Sequence, residues 1–254
     1  MSKDLTKGDL SFGIIGYGAF GEQVAHILSP HARVVVSSRR EIPVYDLPHN
    51  VTVGSVNDVA TCDVVILCNE LSALDENCKQ LTNLVLPSTI VMDVCSVKQR
   101  PALILQKRLG GKCKLLATHP LFGPQTAPIG RTNGKKMVWH EVSGGPFPEL
   151  ERFFAGTLGL NIIKMSPEDH DKQMAWVHCL TFFVGRGLME LNPPDSELTT
   201  NYYERLLSVV NLEKQHSYEL FRTVQLGNFF SGKIRKELIL KLQELDEQLL
   251  EDHI

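Results

Sequence analysis

Three short stretches carry residue types whose chemistry depends on their spacing. Ile14-Ile15-Gly16-Tyr17-Gly18-Ala19-Phe20-Gly21 sets Gly-x-Gly-x-x-Gly directly after an apolar run and at the opening of a segment with helical period. In that context Gly16 permits a tight turn and Gly18 lets the backbone approach a pyrophosphate. Gly21 lets the helix pack closely on the strand, and the helix N-terminus faces the phosphate charge, with Tyr17, Ala19 and Phe20 lining the turn. The bland alternative is a structural turn with no ligand. About 20 residues further on, an NAD site usually offers Asp or Glu to a ribose 2′-hydroxyl. This chain reads Ser37-Ser38-Arg39-Arg40 instead. Hydroxyls and guanidiniums suit a 2′-phosphate, so Ser38, Arg39 and Arg40 favour NADP ahead of NAD, Arg39 being the preferred planar partner. Read plainly, the two arginines are solvated loop charges.

Two further segments leave the carboxyl ends of expected strands, where ligands of open α/β sheets collect. They are Asp93-Val94-Cys95-Ser96-Val97-Lys98 and Thr118-His119-Pro120-Leu121-Phe122-Gly123-Pro124. An isolated loop histidine is most often satisfied by backbone, but a strand-end position beside a nucleotide fold moves His119 toward a general base. The six cysteines (Cys62, Cys68, Cys78, Cys95, Cys113 and Cys179) form no Cys-x-x-Cys pair or Cys/His cluster. They read as reduced thiols of a cytoplasmic protein, and no metal site is expected.

The elements that must position these groups follow from the hydrophobic pattern. Short, near-continuous apolar runs at 12–15, 33–37, 51–53, 64–68, 89–93, 115–118, 137–139 and 161–165 read as strands buried on both faces. Helical period fills 20–28, 72–84, 101–109 and 149–158. This alternation predicts an α/β fold with a doubly wound sheet. From Ser166-Pro167-Glu168-Asp169, a strong helix start, the pattern is helical throughout. Asn192-Pro193-Pro194 stops the first helix, a second stretch covers 196–226, and Ile234, Leu238, Leu242, Leu245 and Leu249 mark the last. The expected division is a nucleotide-binding Rossmann-type domain over 1–165 and an all-helical domain over 166–254. The latter is short for an independent core, so a homodimer built on its helices is expected.

Composition narrows the function class. The 254 residues carry a formal charge of -3, 43% hydrophobic and 22% charged residues, ordinary globular values without the basic excess of a nucleic-acid binder. No apolar run approaches a membrane span of about 20 residues. Lys3, Asp4, Lys7 and Asp9 in the first ten residues do not read as a secretory signal.

Taken in order, Gly16–Gly21, Asp93–Lys98, His119–Pro124 and His170-Asp171-x-x-Met174-Ala175 resemble the prephenate/arogenate dehydrogenase family of tyrosine biosynthesis. The likeness is nearest the branch that writes His-Pro-Met-Phe-Gly-Pro, and it extends from about residue 12 to at least 225. The resemblance implies oxidative decarboxylation, with hydride passing from the hydroxyl-bearing ring carbon to C4 of the nicotinamide. It implies that His119 accepts the hydroxyl proton, that Ser96 bonds the same hydroxyl and orients the histidine, and that Lys98 is a supporting cation. His170, His178 and Arg205 are implied substrate-side residues. The alternative for His170 and Asp171 is a solvated histidine and a helix-start acid.

Departures from the family pattern stand beside the matches. Members often carry Gln and His where this chain has His178 and Phe182, and small apolar residues with proline near the nicotinamide where it has Cys68-Asn69-Glu70 after the fourth strand, so the resemblance implies that Cys68 and Asn69 lie at the cofactor. Arg205 is the nearest candidate for the family's carboxylate-holding arginine; Glu204, if it faced the pocket instead, would favour the ammonium of arogenate. Two other functions remain open at this stage: a two-domain dehydrogenase acting on another substrate, and a nucleotide-binding regulatory protein that has lost turnover.

Overall fold

A computed structural model describes residues 10–43, 45, 47–127 and 130–251. The N-terminal stretch read above as lacking a signal thus lies, up to residue 9, outside the described residues. Eight strands form one sheet: β1 (Ser11–Ile15), β2 (Arg33–Ser37), β3 (Val51–Val53), β4 (Val64–Leu67), β5 (Ile90–Asp93), β6 (Lys114–Pro120), β7 (Lys136–Ser143) and β8 (Asn161–Lys164). Their order is β3-β2-β1-β4-β5-β6-β7-β8. The first six run parallel, and β7 is antiparallel to β6 and parallel to β8.

Side chains divide strictly by parity between the two faces, as the pleat requires. Phe12, Ile14, Val34, Val36, Ile66 and Met92 join the core on one face, under α1 (Ala19–Leu28) and α5 (Pro148–Arg152). Ile15, Val35, Val65, Leu67 and Val91 join the core on the other, with α3 (Leu71–Leu81) and α4 (Gln99–Leu109). A sheet covered on both sides cannot show an apolar/polar alternation, which is why its strands read as continuous runs.

Several expectations need correction. A short helix, α2 (Val56–Ala60), was not foreseen; Ser55 caps it by accepting from the Asp58 backbone N–H at 3.2 Å while the Asp58 carboxylate accepts from the Ser55 N–H at 2.8 Å. The Ser55 hydroxyl also donates to that carboxylate at 2.7 Å, and this bond first, then the one from the Ser55 N–H, holds the Asp58 carboxyl below its ordinary value. The segment expected as one helix over 149–158 is α5 followed by a π-helical turn, Phe153–Thr157. Strands β6 and β7 outrun their apolar cores because they extend each other by antiparallel pairing, from Leu115↔Ser143 to Pro120↔Met137. His119 and Pro120 therefore belong to a strand, not a loop.

The chain divides into two compact units at Pro167/Glu168. The second is helical: α6 (Pro167–Met174, whose first residue closes the first unit), a π-helical turn (Ala175–Leu180), α7 (Thr181–Leu191), α8 (Asn201–Glu213), α9 (Tyr218–Gly227) and α10 (Ser231–Glu251). Helix α7 stops with Asn192 in the left-handed region at φ 55°. The single stretch expected over 196–226 is two helices, because Thr200 and Ser217 each cap a fresh start. The apolar core of this unit is small, centred on Cys179, Phe182 and Val224. Polar bonds supplement it: Gln225 donates to the Cys179 carbonyl at 2.6 Å, Asn228 to the Asp171 carbonyl at 2.7 Å, and Arg235 to the Gln225 carbonyl at 2.9 Å. Only the first turn of the terminal stripe is core. Ile234 is buried, whereas Leu242, Leu245 and Leu249 are each more than half exposed.

Candidate active site

The parallel ladders align Ser37, Ile15, Leu67, Asp93 and Ala117 in one row across the sheet. Each motif begins at or just past that row, so register alone brings the glycine turn, Ser38–Arg40, Cys68–Glu70, Val94–Lys98 and Thr118–His119 to one carboxyl edge. The strand order reverses direction between β1 and β4, which makes the loops after these two strands the walls of the ligand crevice.

The glycine turn fits a dinucleotide. Gly16 has φ +101° and donates its N–H to the Ser37 carbonyl at 2.9 Å. A Cβ on Gly21 would stand 2.0 Å from the Gly16 carbonyl oxygen, so only glycine allows this approach of helix to turn. At Gly18, the N-cap of α1, a Cβ would meet nothing within 4 Å, and no side chain caps the helix. Gly18 and Ala19 are exposed, while Tyr17 and Phe20 rest on the core. The open space ahead of an uncapped ten-residue helix is what a phosphate requires. At the end of β2, Ser38 is half-buried and accepts from the Arg40 backbone N–H at 3.0 Å. Arg39 and Arg40 are exposed, and no carboxylate stands among residues 37–40.

Cys68 donates its N–H to the Ile15 carbonyl at 2.9 Å, tying the β4 loop to the glycine turn. The Asn69 amide fills the space beside Gly16 where a side chain would otherwise stand; a Cβ there would lie 2.7 Å from Asn69 Nδ2. Asn77, on α3, donates to Asn69 Oδ1 at 2.7 Å. The Cys68 thiol is pushed well above its ordinary value by burial, so it is inert at neutral pH.

His119 is buried at the end of β6, and Ser96 is half-buried in the turn between β5 and α4. Lys98 departs from expectation. It is fully buried, with Nζ 2.5 Å from Asp93 Oδ2 and 2.5 Å from the Thr118 carbonyl oxygen. Thr118 in turn donates its hydroxyl to the Asp93 carbonyl at 2.6 Å, and the Cys95 N–H donates to Asp93 Oδ2 at 2.9 Å. Lys98 is thus not a cation offered to a substrate. It clamps the end of β5 to the residue that precedes His119, fixing the loop that bears Ser96 relative to the histidine. The sequence hinted at this only through an Asp and a Lys five residues apart across a strand–helix turn.

In the second unit, His170 and Asp171 are buried and bonded to each other, Nδ1 to Oδ1 at 2.7 Å. His170 is therefore not the solvated histidine of the alternative reading. Burial, with His216 and His170 nearby, lowers the His178 imidazole to about 4. Its ring meets Phe182 edge-on at 4.2 Å, and Phe182 stacks on His216 at 4.4 Å. Sequence reasoning missed the ion cluster around Glu213, which pairs with Arg186 at 3.1 Å and His216 at 3.3 Å. No spacing rule links Arg186 on α7 to Glu213 at the end of α8. Arg205 is exposed on α8, and Glu204, also exposed, accepts from the Thr199 hydroxyl at 3.0 Å. Among the described residues no group of three or more His, Cys, Asp or Glu could hold a metal ion, and no helix is long and apolar enough to cross a membrane.

Residues 40–138 match the family described as prephenate dehydrogenase, nucleotide-binding domain. The match begins beyond the glycine turn and spans both the Asp93–Lys98 and His119–Pro124 segments. The chain is similar to the chloroplastic arogenate dehydrogenase 2 of Arabidopsis thaliana, 26% identical over 230 residues covering 84% of this chain and 62% of that protein. It is likewise similar to arogenate dehydrogenase 1 of the same plant, 27% identical over 258 residues covering 94% of this chain and 39% of that protein. The chain therefore spans less than two thirds of the length of either relative. Its fold is that of the A. aeolicus prephenate dehydrogenase solved with hydroxyphenyl propionate and NAD+, with TM-score 0.72, 19% identity, and coverage of 98% of this chain and 93% of that one. These findings support the family likeness read from the sequence: residues 40–138 match the nucleotide-binding domain of the prephenate dehydrogenases.

Proposed function

We propose that the chain is an NADP-dependent dehydrogenase that oxidatively decarboxylates arogenate or prephenate. The single observation that carries this reading is the shared carboxyl edge. A phosphate-compatible glycine turn, a serine loop and a buried histidine all follow one register row, on a sheet whose order reverses between β1 and β4. When bound, the oxidised nicotinamide supplies the hydride acceptor. His119 takes the proton of the ring hydroxyl as that carbon becomes a carbonyl, and Ser96 bonds the same oxygen and orients the imidazole. Breaking the ring C–COO⁻ bond releases carbon dioxide, and the electron pair left behind makes the ring aromatic. The histidine then returns its proton to the resulting phenolate oxygen, so His119 ends the cycle as it began. The Arg39 and Arg40 guanidiniums, with a serine rather than an acid at positions 37 and 38, support NADP over the NAD+ that the A. aeolicus enzyme was solved with.

Leu242, Leu245 and Leu249 on α10, exposed in the single chain, support a homodimer through the helical unit. Six thiols without a disulfide support a reducing, cytoplasmic-type compartment. A second reading, nucleotide binding without turnover, is favoured by Phe182. Its ring lies between two imidazoles, where family members often carry a hydrogen-bonding side chain.

One experiment separates the two: absorbance at 340 nm with arogenate and prephenate, each against NADP and NAD. Turnover is expected with NADP, and His119→Asn should lose about 10²–10⁴-fold in rate while still binding the cofactor. Silence in all four mixtures with cofactor binding intact would establish the second reading.

A further inference from the structure

We propose that Asn69, braced by Asn77, is the polar contact through which this chain holds the nicotinamide half of a dinucleotide. The inference rests on the cofactor reading above and goes beyond it by naming the half of the ligand and the residue that acts at one remove. Three observations lead to it. The Asn69 amide lies against Gly16, at the wall of the crevice formed by β4, where only the absence of a Cβ leaves it room. Its oxygen is already engaged by Asn77 Nδ2 at 2.7 Å. Among the described residues no acceptor takes Asn69 Nδ2, so its N–H groups are left to donate elsewhere.

Position then assigns the half. The end of β2, with Ser38, Arg39 and Arg40, is where an adenosine ribose is read. A dinucleotide laid across the switch point must place its other nucleotide on the β4 side of the glycine turn, beside Asn69. A small apolar residue or proline there can only pack, whereas an amide can donate to a ribose hydroxyl or phosphate oxygen. Asn77 does not touch the ligand in this arrangement. It fixes which amide atom faces outward, because with Oδ1 taken the donor is the atom presented. Asn77 is therefore a positioning residue, two helical turns into α3, and its effect must pass through Asn69.

The test is equilibrium binding by the purified full chain. Asn69→Ala, Asn77→Ala and the double variant are titrated with whichever of NADPH and NADH the wild type binds more tightly. The same proteins are titrated with that ligand's adenosine half, adenosine 2′,5′-bisphosphate or AMP. Each single variant is expected to weaken dinucleotide binding roughly three- to tenfold, the worth of one neutral hydrogen bond. The adenosine half should bind within twofold of wild type, and the double variant should be no worse than Asn69→Ala alone. Unchanged dinucleotide affinity, or equal loss on both ligands as a distorted glycine turn would give, overturns the proposal. A wild type that binds neither dinucleotide overturns the cofactor reading itself, a failure seen before any variant is made.

Discussion

Replacing Lys98 with Met probes the clamp behind the histidine. In the native state the Lys98–Asp93 pair has no solvent exposure on either side chain. Among the described residues Asp93 Oδ1 has no hydrogen-bond partner, so the carboxylate depends on Oδ2, which takes Lys98 and the Cys95 N–H. Lys98→Met leaves a buried charge with one backbone donor and strips the Thr118 carbonyl of its ammonium. Breaking one side of such a pair costs about 3–5 kcal/mol, or about 6–20 °C in Tm at the roughly 2–4 °C per kcal/mol of a chain this size. Adding Asp93→Leu removes the stranded charge. What is left is the unsatisfied Cys95 N–H and Thr118 carbonyl, about 1–3 kcal/mol each at most, so the double variant should be more stable than Lys98→Met. The assay is urea unfolding followed by Trp139, buried in the sheet, in a Trp176→Phe background that silences the other indole. A loss below about 1 kcal/mol for Lys98→Met, or a double variant less stable than both singles, would refute the argument that the pair is a dry clamp.

Other perturbations read other parts of the site. Gly21→Ala drives a Cβ into the Gly16 carbonyl and should abolish dinucleotide binding with a loss of stability. Gly18→Ala, into open space, should weaken binding while leaving the melting temperature within about 2 °C of wild type, since nothing in the protein opposes it; calorimetry with and without NADPH separates the two. Arg39→Ala should raise the Kd for NADPH roughly tenfold, the order of one charge-assisted contact, and leave NADH nearly unaffected; parallel fluorescence titrations check it. His178, lowered to about 4 by burial first and by His216 and His170 next, binds a proton more readily unfolded than folded. Stability should therefore rise with pH between about 4 and 6.5, by up to about 3 kcal/mol in all, with no contribution to the slope from this group on either side of that window. His178→Gln should flatten the slope measured by urea titration at each pH.

What the sequence disclosed was what local signals encode. The glycine turn, the β2 strand and the break at Asn192 each follow from a few adjacent residues. The direction of β7 does not, because a run of apolar residues has no arrow, and the pairing that draws His119 into a strand comes from residues 17 to 24 positions away. Helix α2 announces itself only by Ser55 and Asp58, being too short at five residues for any period to show. The 196–226 stretch keeps its helical rhythm across the break at 214–217, so a cap, not a loss of period, divides it. The resemblance makes Lys98 a supporting cation; its role as a strut depends on a carbonyl 20 residues away, which no local pattern shows.

The shielding of the six thiols turns the protein into its own reporter. Burial pushes Cys78 and Cys179 up to about 12 and Cys113 to about 11, and holds Cys62, Cys68 and Cys95 above an ordinary thiol. None forms a disulfide, and all but the half-buried Cys68 are enclosed, so alkylation should be slow while the chain is folded and fast once the surroundings of each thiol open. Five sit in the sheet unit and Cys179 alone in the helical one. Pulse alkylation with mass spectrometry therefore yields two opening clocks from one native chain, without an added label. If NADP holds the carboxyl edge shut, it will slow the five and leave the sixth to keep its own time.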